Sequence, residues 1–115
     1  MRPITWYFPS GPDAAKIAAD LAGFKKLGLG GICIMPATSA LKVPYLSDAY
    51  WQTIRLTVEE CVRLDFRVWL YDEIDYPSSS AGGAVIQRCP ECVVTAMEYR
   101  DGKFTKRIGD PLAEI

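Results

Sequence analysis

Three carboxylates crowd one short stretch of the chain, Tyr71-Asp72-Glu73-Ile74-Asp75-Tyr76. Trp69 precedes them, and Trp6 lies near the N-terminus. Carboxylates held across a glycosidic bond supply the acid and the base or nucleophile of its hydrolysis. Aromatic rings offer apolar faces on which a sugar ring can stack. Each feature also has an ordinary use. Aromatics in strands usually fill a core, and a carboxylate at a strand end usually caps a loop. Their clustering at one strand end favours a site. Candidate substrate contacts are Trp6, Trp69, Tyr71, Asp72, Glu73, Asp75 and Tyr76, with Glu73 and Asp72 as the catalytic candidates.

The elements that must hold these residues alternate between strand and helix. Ile4–Phe8 is an aromatic, β-favouring run, stopped by Pro9-Ser10-Gly11-Pro12. A helix follows, with Pro12 in its first turn and Ser10 with Asp13 resembling a capping box. Ala14, Ile17, Ala18, Leu21 and Phe24 form its apolar stripe, and Gly28 ends it as a left-handed cap. Gly23 is a weak spot within it or a close-packing position. Gly31–Pro36 is a continuous apolar strand, the pattern of a parallel strand covered on both faces. After a loop, Ser47 caps a second helix whose stripe is Trp51, Ile54, Val58, Cys61 and Val62. Arg55, Glu59 and Arg63 are spaced for ion pairs on its flank. Asp65 stands where a cap glycine is expected.

Phe66–Glu73 is the third predicted strand. Alternation puts Val68 and Leu70 on a helix-facing side, with Arg67, Trp69, Tyr71 and Glu73 on the other. Glu73 then points into the mouth of the site, while Asp72 leans toward the helices and ties down the loop. Adjacent Asp72 and Glu73, sent to opposite faces, do not make an acid–base pair by themselves. Functional groups gather at the C-terminal strand ends of parallel α/β sheets and barrels. Near residue 90 the pattern changes. Cys92–Arg100 and Lys103–Ile108 read as a hairpin around Asp101-Gly102.

Composition narrows the function classes. The 115 residues carry 13 Lys+Arg and 14 Asp+Glu and are 50% hydrophobic, a globular balance rather than a disordered one. No basic excess exists to engage nucleic acid. No apolar run approaches the ~18 residues of a membrane span, and no signal peptide is visible, so the chain as given reads as cytoplasmic without its compartment being assigned. With no histidine among its residues, the chain offers neither Ser-His-Asp nor Cys-His catalysis. Cys33 and Cys61 read as buried small hydrophobes. Cys89-Pro90-Glu91-Cys92 is half a zinc-ribbon pattern without its second half. A redox Cys-x-x-Cys at the start of a helix is a further reading, and free thiols in a loop beside Pro90 is the plainest. No metal and no cofactor is expected. The Gly28–Gly31 cluster precedes a strand, and Ala81-Gly82-Gly83 lacks the Lys-Ser/Thr of a P-loop, which argues against nucleotide binding.

The order of Trp6-Tyr7-Phe8, Lys26-Leu27-Gly28, Gly30–Met35, Tyr45-Leu46-Ser47 with Trp51, Val68–Glu73, Asp75-Tyr76-Pro77-Ser78 and Ala81-Gly82-Gly83 resembles a known pattern. It is similar to the start of the catalytic barrel in bacterial glycoside hydrolases related to family 106, the α-L-rhamnosidases. The resemblance covers roughly residues 4–90, and the Tyr-Asp-Glu…Tyr-Pro-Ser…Ala-Gly-Gly block is its specific part. Relatives tend to carry glycine at the positions of Asp65 and Ser79.

The resemblance implies a partial (β/α)8 barrel over residues 1–90 and the start of an antiparallel β insertion over 91–115. It implies that Asp72 and Glu73 help form a sugar-binding floor. The acid and base, and any calcium ligands of the family, are expected on residues beyond Ile115. The leading expectation is therefore a fragment of a glycoside hydrolase, inactive alone, whose partners are a carbohydrate and the remainder of a larger chain. Without that remainder, exposed apolar surface and an open sheet edge predict self-association. The alternative is a non-catalytic carbohydrate-binding or oligomeric α/β scaffold module. A thiol or metal protein built on Cys89 and Cys92 is a third class.

Overall fold

The computed structural model describes residues 2–76, 81–92 and 95–108. They form two compact units, 1–79 and 80–115, described separately. The first is α/β, in the order β1 (Ile4–Tyr7), α1 (Ala14–Lys26), β2 (Gly31–Ile34), α2 (Asp48–Arg63) and β3 (Arg67–Leu70). The strands make one parallel sheet in chain order β1-β2-β3. In register, Trp6, Cys33 and Trp69 lie side by side, as do Tyr7, Ile34 and Leu70.

Both helices cover the same face of this sheet. The buried core joins Tyr7, Ile32 and Ile34 from the strands to Ile17 and Leu21 of α1 and to Tyr50, Ile54 and Cys61 of α2, with Phe66 at the lead-in to β3. Fully burying one such aliphatic side chain is worth about 1.5–3 kcal/mol. The opposite face carries Ile4, Trp6, Trp69 and Arg67, all exposed, with Cys33 half-buried between them. Gly31 sits in the row between Ile4 and Arg67, where an added Cβ would collide with the Arg67 carbonyl. The close approach of β2 and β3 therefore requires glycine there.

The first helix starts three residues later than the capping box suggests. Asp13 itself is the N-cap, its carboxylate accepting from the Lys16 N–H at 2.9 Å, and Pro12 lies outside the helix. Gly28 follows the Leu27 cap with φ 85°, the expected left-handed turn, and Asp65 takes φ 53° after α2. Space around Gly23 is open, so it is not a close-packing position.

The apolar stripe of α2 is rotated from the predicted one. Trp51 and Val62 are exposed, while Thr53 and Thr57 are fully buried. The threonine hydroxyls donate to the carbonyls of Ala49 and Thr53, each at 2.8 Å, so they enter the core with their polar atoms satisfied. The helix's ion pair joins Arg63 to Glu60, three residues back, rather than to Glu59.

The second unit holds α3 (Ala84–Arg88), a 3-10 turn over Pro90–Cys92, and the antiparallel pair β4 (Thr95–Arg100) and β5 (Lys103–Ile108). Asp101 and Gly102 both have positive φ, the geometry that a two-residue hairpin turn demands. Pro90–Cys92 form a 3-10 turn where the sequence suggests a loop beside Pro90, and the strand expected from Cys92 runs over Thr95–Arg100. Pro77-Ser78 and Ser79, important to the resemblance, and residues 110–115 lie outside the described residues.

Candidate functional site

The third strand ends at Leu70, three residues short of Glu73. The ladder's last backbone bond runs from Tyr71 N–H to the Ile34 carbonyl, and residues 72–76 then bend. Alternation therefore organises the site only as far as Tyr71. Below that point it holds: Trp69 and Arg67 are exposed on the open face, and Tyr71 meets Trp6 edge to face with centroids 5.8 Å apart. Leu70, predicted to meet helices, is half exposed at the edge of the sheet.

Beyond Tyr71 the bend decides where the carboxylates go. Glu73 is only 7% exposed, whereas Asp72 is exposed. Glu73 therefore does not stand free in the mouth of the site. Both carboxylates act on one phenol. The Tyr45 hydroxyl is pushed above its ordinary range first by burial, then by the charge of Glu73, with a smaller push from Asp72 and an opposing pull from a backbone hydrogen bond at Ile74. The separation of Asp72 and Glu73 onto opposite faces thus gives way to a shared neighbour. Among the described residues, no buried side-chain nitrogen or oxygen lacks a hydrogen-bond partner.

The clamp on this rim is Asp75. Its two carboxylate oxygens accept from the Thr38 N–H at 2.9 Å and from the Thr38 hydroxyl at 2.8 Å, while its own N–H donates to the Pro36 carbonyl at 3.0 Å. It stitches the loop after β3 to the loop after β2 and adopts φ 62° to do so. Leu46, on the neighbouring loop, has the same φ of 62°. Left-handed backbone at a leucine costs about 1–2 kcal/mol, and such outliers gather where a loop must hold a set shape. Tyr45 stacks edge to face on Tyr50, in the first turn of α2, with centroids 5.1 Å apart. Tyr76 projects into solvent.

One rim at the C-terminal ends of the strands thus collects Tyr71, Asp72, Glu73 and Asp75, joined by Tyr45 and Thr38, and Trp6 reaches it through Tyr71. Tyr45 and Thr38 are the members missed by reading β3 alone. The signal that finds them is topological, since the loop following each parallel strand opens at the same end. Trp69 lies on the same open face, one row below. The set offers carboxylates and hydroxyls for hydrogen bonding and flat apolar rings beside them. Among the described residues no group of three or more His, Cys, Asp or Glu is placed to hold a metal ion. A scan against protein-family models and a search of curated proteins both return no match.

Proposed function

We propose that residues 1–79 form the opening strands of a (β/α)8 barrel in a glycoside hydrolase of α-L-rhamnosidase type, and that the rim at Tyr71–Tyr76 is part of its sugar-binding floor. One observation supports this reading above the others. The three parallel strands run in chain order with both helices on one face, leaving the other face aromatic and leading to carboxylates at the strand ends. Parallel crossovers share one hand. A sheet that never reverses its strand order therefore keeps all its helices on one side. Its bare face is covered most directly by the sheet curling round to close on itself, and the strand-end rim then becomes the mouth of the barrel.

In this reading Asp72, Glu73 and Asp75 orient sugar hydroxyls or shape the floor, and the acid and base come from strands outside residues 1–115. Trp6 and Tyr71 present ring surface to the substrate. Isothermal titration calorimetry with rhamnose-terminated oligosaccharides tests it. Saturable heat is expected from the chain, with at least tenfold weaker binding in W6A and D72N and no hydrolysis of an aryl rhamnoside by residues 1–115. Absence of heat with any rhamnoside or other oligosaccharide overturns the sugar-binding reading. Binding by a chain that still does not hydrolyse when further strands are supplied favours a carbohydrate-binding scaffold.

A further inference from the structure

In the second unit, Cys89 caps the C-terminus of α3 and Cys92 closes the following 3-10 turn. The Cys92 N–H donates to the Cys89 carbonyl at 2.9 Å, a tight turn that keeps the two Cα atoms within roughly 7 Å. That is inside the span a disulfide bridges. The two Sγ atoms lie 2.9 Å apart, with the Cys92 thiol directed at the Cys89 sulfur. This is closer than non-bonded sulfurs ordinarily approach, yet longer than the ~2.05 Å of a bond. Cys92 is exposed and Cys89 half-buried. Nothing in the sugar-binding reading uses them.

We propose that Cys89 and Cys92 form a reactive dithiol site that takes small-molecule disulfides such as glutathione disulfide as substrate and closes into an intramolecular disulfide. Cys92, the more accessible sulfur, attacks one sulfur of the incoming disulfide. Its S–H proton leaves with the first thiol released, and a mixed disulfide remains on Cys92. Cys89 then attacks the Cys92 sulfur, its proton passing to the second departing thiol. Two cysteine thiols are oxidised and one external disulfide is reduced to two thiols, so atoms and electrons balance. Glu91 lies in the turn between them. Its carboxylate is held below the usual range, first by a hydrogen bond with the Cys89 thiol and then by one with its own backbone. The Cys89 thiol is pushed up to about 11, first by its hydrogen bond with Cys92 and then by Glu91. Exposure sets the order of attack: Cys92, open to solvent, enters first, and the half-buried Cys89 resolves.

The reduced chain is incubated with glutathione disulfide, alkylated and digested with trypsin. Cleavage after Arg88 and Arg100 leaves both cysteines in one peptide, residues 89–100. The expected result is a peptide two hydrogens lighter, unalkylated and free of glutathione, while Cys33 and Cys61 remain alkylatable after denaturation. C89S is expected to accumulate glutathione on Cys92. C92S is expected to react at least tenfold more slowly. A wild-type peptide that retains two alkylatable thiols, or that carries a persistent glutathione adduct, overturns the proposal. Both variants change exposed or half-exposed side chains, and circular dichroism verifies that they are folded before the comparison.

Discussion

Tyr7 shows how one residue ties the sheet to α1. Its ring lies in the core against Phe24, and its hydroxyl donates to the Asp20 carboxylate at 3.2 Å. Asp20 is also held by Lys16 at 2.7 Å. Burial first, then the Asp20 charge and hydrogen bond, lift the Tyr7 hydroxyl far above the ordinary phenol value of 10.0. Folding therefore keeps a proton that the unfolded chain releases near pH 10. The stability tied to it is intact below that pH and is lost as pH rises further. Cys61, pushed up to about 11 by burial and then by Glu60, adds to the same alkaline loss from its ordinary value of 9.0 upward. Y7F keeps the ring and removes the hydrogen bond, at a cost of about 0.5–1.5 kcal/mol at pH 8. Between pH 10 and 11.5 its stability falls less steeply than that of the wild type, with the Cys61 share remaining. Urea unfolding midpoints measured across that range check both statements.

At the scale of elements, Asp65 is the place where the chain departs from its expected turn residue and still makes the turn. Its φ of 53° follows α2 directly, and Phe66 N–H closes the cap onto the Cys61 carbonyl at 2.8 Å. D65G relieves the left-handed strain and is expected to raise stability by about 0.5–1 kcal/mol. An unchanged or lower urea midpoint would show instead that the Asp65 side chain contributes to the turn. Caps and turn residues were readable from sequence here because their chemistry is local: Ser47, Gly28 and Asp101-Gly102 all sit where their types predict. The face of α2 was not readable. Periodicity ranks Trp51 and Val62 as core and threonine as surface. The helix buries Thr53 and Thr57 because back-bonding to the preceding turn hides their hydroxyls. The carboxylate rim was half readable. Its residue types and position at a strand end are visible in sequence. The bend after Leu70 depends on Asp75 reaching a loop 37 positions away, which no local pattern encodes.

For the whole molecule, the open sheet face is the dominant physical fact of residues 1–79. Trp6 is 50% exposed, Trp69 44% and Ile4 48%, all on one side, and β1 and β3 are both edges. Apolar surface of this kind, next to unpaired backbone groups, drives association. Sedimentation velocity on the 115-residue chain is expected to show oligomers growing with concentration. W69K, which puts a charge in the middle of that face, is expected to shift the distribution to monomer without lowering the unfolding midpoint by more than about 1 kcal/mol, because Trp69 lies outside the helix-side core. A wild-type chain that sediments as a clean monomer at all concentrations would mean that this face is covered within the chain.

The strictly sequential pairing of β1 with β2 and β2 with β3 has a bearing on how the protein is made. After β1, each strand of the sheet pairs with one made before it, and both helices share a core with the strands. Each pairing nevertheless spans a whole helical crossover, as Ile4 with Gly31 and Gly31 with Arg67 show, and non-local pairing of this kind forms slowly. Synthesis completes β1, α1 and β2 before α2 is made, and β3 comes last of the three strands. A sheet laid down in chain order grows in the direction of translation, with β1 remaining one border while the other passes from β2 to β3.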